Sequence, residues 1–152
     1  MSPSKVSRKV VLDRIAWVDR MLSGIRGLPL TSRADFSADA RNIWSAESCL
    51  RRALEALFDI GRHLLAKGYG VGISEYREIA AKLADCGVLS ADESSLMKTL
   101  AGYRNRLVHF YHEVSTDELY EICARELGDL EAVRVALVRW LTTHPEMVDE
   151  TL

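Results

Sequence analysis

Residues 37–67 read SADARNIWSAESCLRRALEALFDIGRHLLAK, with an apolar side chain at every third or fourth position. This spacing places the apolar side chains on one face of an α-helix. The repeating set is Ile43, Ala46, Leu50, Ala53, Leu54, Leu57, Gly61 and Leu64. We therefore predict one long helix from about Asp35 or Ser37 to Lys67, ended by the glycine-rich segment 68–72.

Further helices are predicted on both sides of this one. A similar apolar face indicates a first helix over about Ser4–Ile25. A short helix follows Ser74 and ends at Cys86-Gly87. A longer helix begins at Ser90, and the last runs from Ser115 to about Thr143.

The last two helices begin with the S-x-x-E pattern of a capping box, in Ser90–Glu93 and Ser115–Glu118. The chain has only three prolines, which leaves long spans for helices. Apolar and polar residues do not alternate over the length of a strand, so β-structure is not expected. The predicted fold is all-α: an antiparallel bundle of four main helices plus a short fifth, in a single domain over residues 1–152.

The composition fits a globular domain and narrows the possible functions. Among 152 residues, 48% are hydrophobic and 28% are charged, with a formal net charge of -2. Any nucleic-acid site must therefore be a local patch on a weakly acidic protein. The three cysteines lack the spacing of a zinc site, and neither a signal segment nor an 18-residue apolar run is found. We expect a soluble, cytoplasmic protein that uses no metal and no cofactor and does not enter a membrane.

Positive charge is concentrated in residues 98–112, which read KTLAGYRNRLVHFYH. This segment holds Lys98, Arg104 and Arg106 and no acidic residue, so it carries +3 while the rest of the chain carries -5. His109 and His112 lie in the same segment. A local positive site in an acidic protein is what the binding of a phosphate group requires.

The periodicity of the helix separates the polar side chains of this segment from its predicted core face. That core face comprises Leu96, Leu100, Tyr103, Leu107 and Phe110. Asn105 and His109 point to the opposite side, and Arg104 lies on another edge. Because Arg104 and His109 do not converge on one straight helix, we expect either a bend near them or a second copy of the chain that completes the site.

These residue types suit chemistry on a phosphodiester. A histidine moves protons near neutral pH, and an arginine stabilises negative charge on a phosphoryl group. No group of carboxylates lies near the segment to hold Mg²⁺, whereas RNA carries its own nucleophile in the 2′-hydroxyl. The pattern indicates RNA cleavage by internal attack, with a cyclic phosphate as the first product. The residues alone leave a second interpretation open, that of a solvated helix face without a function.

The spacing Arg104-Asn105-x-x-x-His109-x-Tyr111 resembles the R-x4-H-x-Y motif of HepT toxins, which belong to the HEPN superfamily. The resemblance covers about Asp35–Leu141. It includes the long second helix, the glycine-rich link, the short helix and the capped helix that bears the motif. An R-x4-H spacing by itself is weak, and the added asparagine, tyrosine and helix order make the pattern more specific.

The resemblance implies an all-α HEPN bundle and a metal-independent endoribonuclease whose dimers place two motifs in one cleft. Arg104 and His109 would be the catalytic pair, and Asn105 would support them. HepT toxins are paired, in type VII toxin–antitoxin systems, with a minimal nucleotidyltransferase antitoxin. That partner transfers AMP from ATP to the motif tyrosine, here Tyr111, and the added phosphates would exclude RNA from an anion-binding cleft.

The resemblance also assigns a role outside the motif. Asp59 occupies the acidic position that many HEPN domains carry on the second helix, where it would orient Arg104, and a plain surface carboxylate is the alternative. Lys98 and Arg106 are further candidates to contact RNA, and a plain solvated side chain is the alternative for Arg106. Assembly beyond a homodimer stays open. So do two other functions: a non-catalytic HEPN module that binds a nucleotide or a partner, and a helical dimer whose basic segment pairs with an acidic partner.

Overall fold

The computed structural model describes residues 4–109 and 114–151. Within them the chain forms seven α-helices and one pair of two-residue strands. The helices are α1 (Arg8–Arg26), α2 (Arg33–Ser37), α3 (Ala40–His63), α4 (Tyr76–Asp85), α5 (Ala91–Val108), α6 (Thr116–Arg125) and α7 (Leu127–Thr143). Over this part of the chain, no helix is both long enough and apolar enough to cross a membrane.

The centre of the bundle is α3, against which α1, α4, α5, α6 and α7 all pack. Most of its predicted apolar face is buried: Ala46, Leu50, Ala53, Leu54, Leu57 and Gly61 lie in the core, whereas Ile43 is only partly buried. Three residues outside the predicted set, Ala56, Phe58 and Ile60, are buried as well. The rotation of α3 about its own axis is therefore set by core burial, because turning the helix would expose these side chains to water.

The long predicted helix is interrupted at both ends. A separate short helix, α2, precedes α3, and the Asp39 side chain caps α3 by accepting from the backbone N–H of Arg41. At the other end regular α-helical bonding stops at His63, and residues Leu64–Gly68 form one π-helical turn. Gly68 lies there against the Val6 and Trp140 side chains.

The first helix begins at Arg8, four residues later than predicted. The Ser7 hydroxyl caps it by accepting from the backbone N–H of Val10. Residues Val6–Ser7 are β1, which pairs in parallel with β2, Val148–Asp149. The expectation of no strands was wrong here, because the backbones of these residues, of which Val6, Ser7 and Val148 are buried, bond to each other instead of extending a helix.

The last predicted helix is divided into α6 and α7 at Glu126, whose backbone angles are φ -118° and ψ 7°. Gly128 follows at the start of α7, and glycine is a poor helix former. With α2 added and the last helix divided, the predicted count of four main helices and one short helix does not match the seven helices described. The all-α class is confirmed.

The core face predicted for α5 was wrong in part. The buried residues of α5 are Ser94, Met97, Leu100 and Ala101, whereas Leu96, Tyr103 and Leu107 are only partly buried. Small side chains let α4 approach closely, and the Ser94 hydroxyl donates a hydrogen bond to the backbone carbonyl of Ala80 over 2.9 Å. The buried face of α5 therefore lies on the side of the helix that bears Arg104, whose side chain is only 23% exposed.

Gly61 allows α3 and α4 to pack closely, because a Cβ at this position would lie 3.0 Å from the Ile79 and Leu83 side chains. We expect Gly61→Ala to lower the free energy of unfolding by about 1 kcal/mol or more, since overpacking outweighs the gain in helix propensity. Gly128→Ala is the matched control, because nothing lies within 4 Å of its added Cβ. Denaturant unfolding in which Gly61→Ala is as stable as Gly128→Ala would refute this account of the packing.

His63 joins the end of α3 to the start of α1, because its Nε2 accepts a hydrogen bond from the backbone N–H of Ser7 over 3.0 Å. Burial, with a smaller effect from Lys67, lowers the pKa of His63 below its usual 6.5. As the pH falls through 6.5, His63 binds a proton more readily in the unfolded chain than in the folded chain. Acid therefore favours unfolding. We expect stability to drop as the pH falls below about 7, and less so in His63→Gln. Equal losses in the two proteins, measured by denaturant unfolding, would contradict the role of His63.

Candidate active site

A cleft of about 720 Å³ lies between α3, the segment that leads into α4, and the end of α5. It collects charged and polar side chains from all three elements. Its lining residues are Glu55, Asp59, Arg62, Ser74, Glu75, Tyr76, Arg77, Arg104, Asn105 and His109. Three residues of the motif thus reach one cleft within a single copy of the chain.

The end of α5 explains how Arg104 and His109 come together. The helix stops at Val108, and His109 has extended backbone angles of φ -92° and ψ 105°. Its backbone N–H still bonds to the Asn105 carbonyl over 3.0 Å, so the chain leaves the helix without losing this contact. The extended ψ angle redirects the chain that follows His109, and the exposed side chain of His109 borders the same cleft as Arg104.

Arg104 lies on a stack of aromatic rings contributed by two other helices. Its guanidinium carbon is 4.4 Å from the centre of the Tyr76 ring. That ring is stacked on Phe58, with 4.4 Å between ring centres and 13° between planes. Phe58 is fully buried in α3, so the stack rests on the core of the bundle. Burial raises the pKa of Tyr76 above its usual value of 10.

The polar contacts of Arg104 are few and long among the described residues. One terminal nitrogen lies 3.4 Å from Oδ1 of Asn105, and the other lies 3.9 Å from Oε2 of Glu55. The Nε atom is buried and has no hydrogen-bond partner in residues 4–109 and 114–151. Much of the hydrogen-bonding capacity of this guanidinium is therefore unused within the described part of the chain.

The acid near Arg104 is Glu55 and not Asp59, the residue expected to orient it. Asp59 lines the cleft, but its carboxylate pairs with Arg62 over 3.1 Å and with Arg14 over 4.0 Å. Glu55 and Asp59 are one helical turn apart on α3, so both lie on the same edge. The sequence offered no means to choose between them, because the choice depends on where α5 crosses α3.

The other two predicted RNA contacts lie away from the cleft lining. Lys98 is exposed on α5. Arg106 pairs with both carboxylate oxygens of Glu118. The predicted capping box would instead have the Glu118 side chain accept from the backbone N–H of Ser115 at the start of α6. One of the two capping-box hydrogen bonds forms: the Ser115 hydroxyl accepts from the backbone N–H of Glu118.

Two arginines that the sequence did not single out line the cleft instead. Arg62 donates to the backbone carbonyls of Ile73 and Ser74 and so holds the segment before α4 against α3. Arg77, on the first turn of α4, is exposed, and no carboxylate of the described ranges 4–109 and 114–151 pairs with it. Such residues are hard to find from sequence, because nothing in the local pattern of α4 connects it to the motif.

Tyr111, the predicted site of AMPylation, lies outside the described residues, as do Phe110 and His112. In the part of the chain that the structure covers, no three histidine, cysteine, aspartate or glutamate side chains are grouped so as to hold a metal ion.

The sequence model of the family described as Ribonuclease HepT-like matches residues 18–137. The chain belongs to this family. The matched range includes every residue that lines the cleft. No curated protein has a sequence that matches this HepT-like chain significantly.

Solved structures share the fold of this HepT-like chain. One is a tri-AMPylated HEPN toxin of Shewanella oneidensis in complex with an MNT antitoxin: TM-score 0.77, 23% identity, 86% of this chain and 97% of that chain covered. Another is a toxin–antitoxin structure with AMP-PNP, which has a TM-score of 0.76 and 23% identity. The match covers 87% of this chain and 99% of that chain. A third is YutE of Bacillus subtilis, a cytosolic protein of unknown function: TM-score 0.73, 20% identity, 90% and 92% covered.

Proposed function

We propose that this HepT-like protein is the toxin of a type VII toxin–antitoxin system and that it cleaves RNA without a metal ion. The observation that carries the proposal is the convergence of Arg104, Asn105 and His109 on one cleft. Membership of a ribonuclease family and a shared fold with toxins from toxin–antitoxin complexes support it.

The chemistry uses the nucleophile that RNA itself carries. The 2′-hydroxyl oxygen attacks the neighbouring phosphorus, and the bond from phosphorus to the 5′ oxygen breaks. The products are a 2′,3′-cyclic phosphate and a 5′-hydroxyl end. His109 accepts the proton of the attacking hydroxyl, and the departing 5′ oxygen takes a proton from solvent.

Arg104 stabilises the charge that grows on the non-bridging oxygens of the phosphate during attack. Its two terminal nitrogens, whose contacts with Asn105 and Glu55 are long, suit this role, because a planar guanidinium matches two phosphate oxygens at once. Asn105 supports it from the next position on α5, through the amide oxygen that lies 3.4 Å from an Arg104 nitrogen.

Binding of the RNA backbone falls to cations at the rim of the cleft. Arg77 is the best placed, since it lines the cleft and pairs with no carboxylate of the described residues. The predicted contacts of Lys98 and Arg106 with RNA are retained as a proposal for the outer surface of α5. Arg106 is the weaker candidate of the two, because Glu118 already neutralises its charge.

The cognate partner in this proposal is a minimal nucleotidyltransferase antitoxin that transfers AMP to Tyr111. The toxin of Shewanella oneidensis, which shares this fold and is tri-AMPylated, supports such a modification. Tyr111 follows His109 by two residues, so the added phosphates would bring negative charge next to the cleft. That charge would repel the RNA backbone.

The toxin acts as a homodimer in this proposal. Trp44 on α3 is 64% exposed and Val108 at the end of α5 is 41% exposed, which are large apolar side chains to leave in water. Trp44 and Leu107 line a common groove of about 180 Å³ beside the motif helix. A second copy covering this groove would bring two clefts into proximity.

The first test compares the wild-type toxin with Arg104→Ala and His109→Ala, expressed without a partner. We expect growth arrest and RNA decay only with the wild type, because each substitution removes a group that acts on the phosphate. Loss of a catalytic group should lower the cleavage rate by at least about a hundredfold. His144→Ala serves as the matched control, since His144 lies against Trp140 and away from the cleft.

The same purified proteins separate catalysis from folding and from metal dependence. Arg104→Ala and His109→Ala should melt close to the wild type, and EDTA should leave wild-type cleavage unchanged. Cleavage that requires an added divalent ion would contradict attack by the 2′-hydroxyl without a metal. Equal toxicity of all variants, or none from any, would favour a non-catalytic binding module.

The second test concerns neutralisation by the antitoxin. Co-expression with a cognate nucleotidyltransferase should add AMP to the wild-type toxin and leave Tyr111→Phe unmodified, because phenylalanine has no hydroxyl to accept the group. Intact-mass measurement and peptide mapping report the modification. AMP found at another residue of Tyr111→Phe would refute the assignment of Tyr111.

A further inference from the structure

Arg104 reaches the cleft on a support made from two other helices. Phe58 comes from α3, Tyr76 is the first residue of α4, and Arg104 comes from the last turns of α5. Each successive pair lies at stacking distance, with 4.4 Å from ring centre to ring centre and 4.4 Å from the Tyr76 ring centre to the guanidinium carbon. Two groups this close cannot share one face of a ring, so Phe58 and Arg104 occupy opposite faces of Tyr76.

The base of this stack is buried in the core, and its top is only partly exposed. Phe58 is fully buried, Tyr76 is half-buried, and the Arg104 side chain is 23% exposed. A packed aromatic pair keeps its geometry because its rings fill the space between two helices. The guanidinium carbon of Arg104 lies 4.4 Å from the centre of the Tyr76 ring in this pair.

Carboxylates contribute little to holding Arg104. Glu55 lies 3.9 Å away and is itself hydrogen-bonded to Arg51 over 2.9 Å. Asp59 is engaged by Arg62. An arginine held by bidentate ion pairs would have its N–H donors occupied, whereas one held through its face keeps them for a ligand.

We propose that Tyr76 is a positioning residue for Arg104. Its ring face fixes the plane of the guanidinium by a cation–π contact, and this leaves the N–H edge free for a phosphate in the cleft. The relevant property is the aromatic ring and not the hydroxyl, since no described residue forms a hydrogen bond with the Tyr76 hydroxyl. This inference rests on the proposed ribonuclease function for its effect on rate, but not for its effect on the geometry of Arg104.

Two substitutions of Tyr76 distinguish the effect of its aromatic ring from that of any apolar side chain. Tyr76→Phe keeps the ring on Phe58 and beneath Arg104. Tyr76→Leu keeps an apolar side chain on Phe58 but removes the ring face. Tyr69→Leu is the matched control, because Tyr69 is also a half-buried tyrosine in contact with a core aromatic residue, Trp140, and does not line the cleft.

Cleavage of a short RNA by the purified toxin gives the first readout. We expect Tyr76→Phe to keep kcat within about threefold of the wild type, and Tyr76→Leu to lose about tenfold or more in kcat with little change in KM. Tyr69→Leu should lower the melting temperature without this loss in kcat. Full activity of Tyr76→Leu would overturn the proposal, and so would a loss in Tyr76→Phe as large as that in Tyr76→Leu.

NMR of the Arg104 side chain gives a second readout that does not depend on catalysis. The Nε–H signal, assigned by its absence in Arg104→Ala, should be shifted by the ring current and motionally restricted in the wild type and in Tyr76→Phe. Both features should disappear in Tyr76→Leu. If the wild type does not cleave RNA, the proposed function fails while this measurement still decides the role of Tyr76. An unchanged, rigid signal in Tyr76→Leu would show that the ring does not position Arg104.

Discussion

The burial of α3 among the surrounding helices is the constraint on which the site depends. Its apolar residues can enter the core in one rotation only, and that rotation leaves Glu55, Asp59 and Arg62 along one edge. These three side chains form one wall of the cleft. The chemistry of the site is therefore tied to the hydrophobic core, although no residue of that wall is itself apolar.

The end of α5 is held from the side opposite the cleft. The Tyr103 hydroxyl donates a hydrogen bond to Glu126 over 2.7 Å, and burial together with this contact raises the pKa of Tyr103 to about 12. Arg106 is tied to Glu118 on α6. With these two anchors the last turns of α5 stay in place up to Val108, and His109 can leave the helix without loosening Arg104.

The arginines that line the cleft are paired with carboxylates to different extents. Asp59 neutralises Arg62, and Glu55 is shared between Arg51 and the more distant Arg104. Arg77 pairs with no carboxylate of the described residues. A phosphate entering the cleft would therefore meet the guanidinium groups of Arg62, Arg77 and Arg104 among the carboxylates of Glu55, Asp59 and Glu75.

The sequence by itself determined the helical class, the central helix and the residues of the motif. It did so because a 3.6-residue periodicity and a fixed motif spacing are local properties that can be read along the chain. The capping box at Ser90 and the end of α4 at Cys86-Gly87 were predictable for the same reason, and Gly87 adopts φ +78° as a helix-ending glycine does.

Only the tertiary structure decided which groups surround Arg104. Tyr76 and Glu55 are 28 and 49 positions away from it in the sequence, so no local pattern connects them. The face of α5 that is buried depended on how closely α4 approaches its small residues, and the path of His109 depended on where α5 ends. These outcomes follow from packing between helices, which the periodicity of any one helix does not contain.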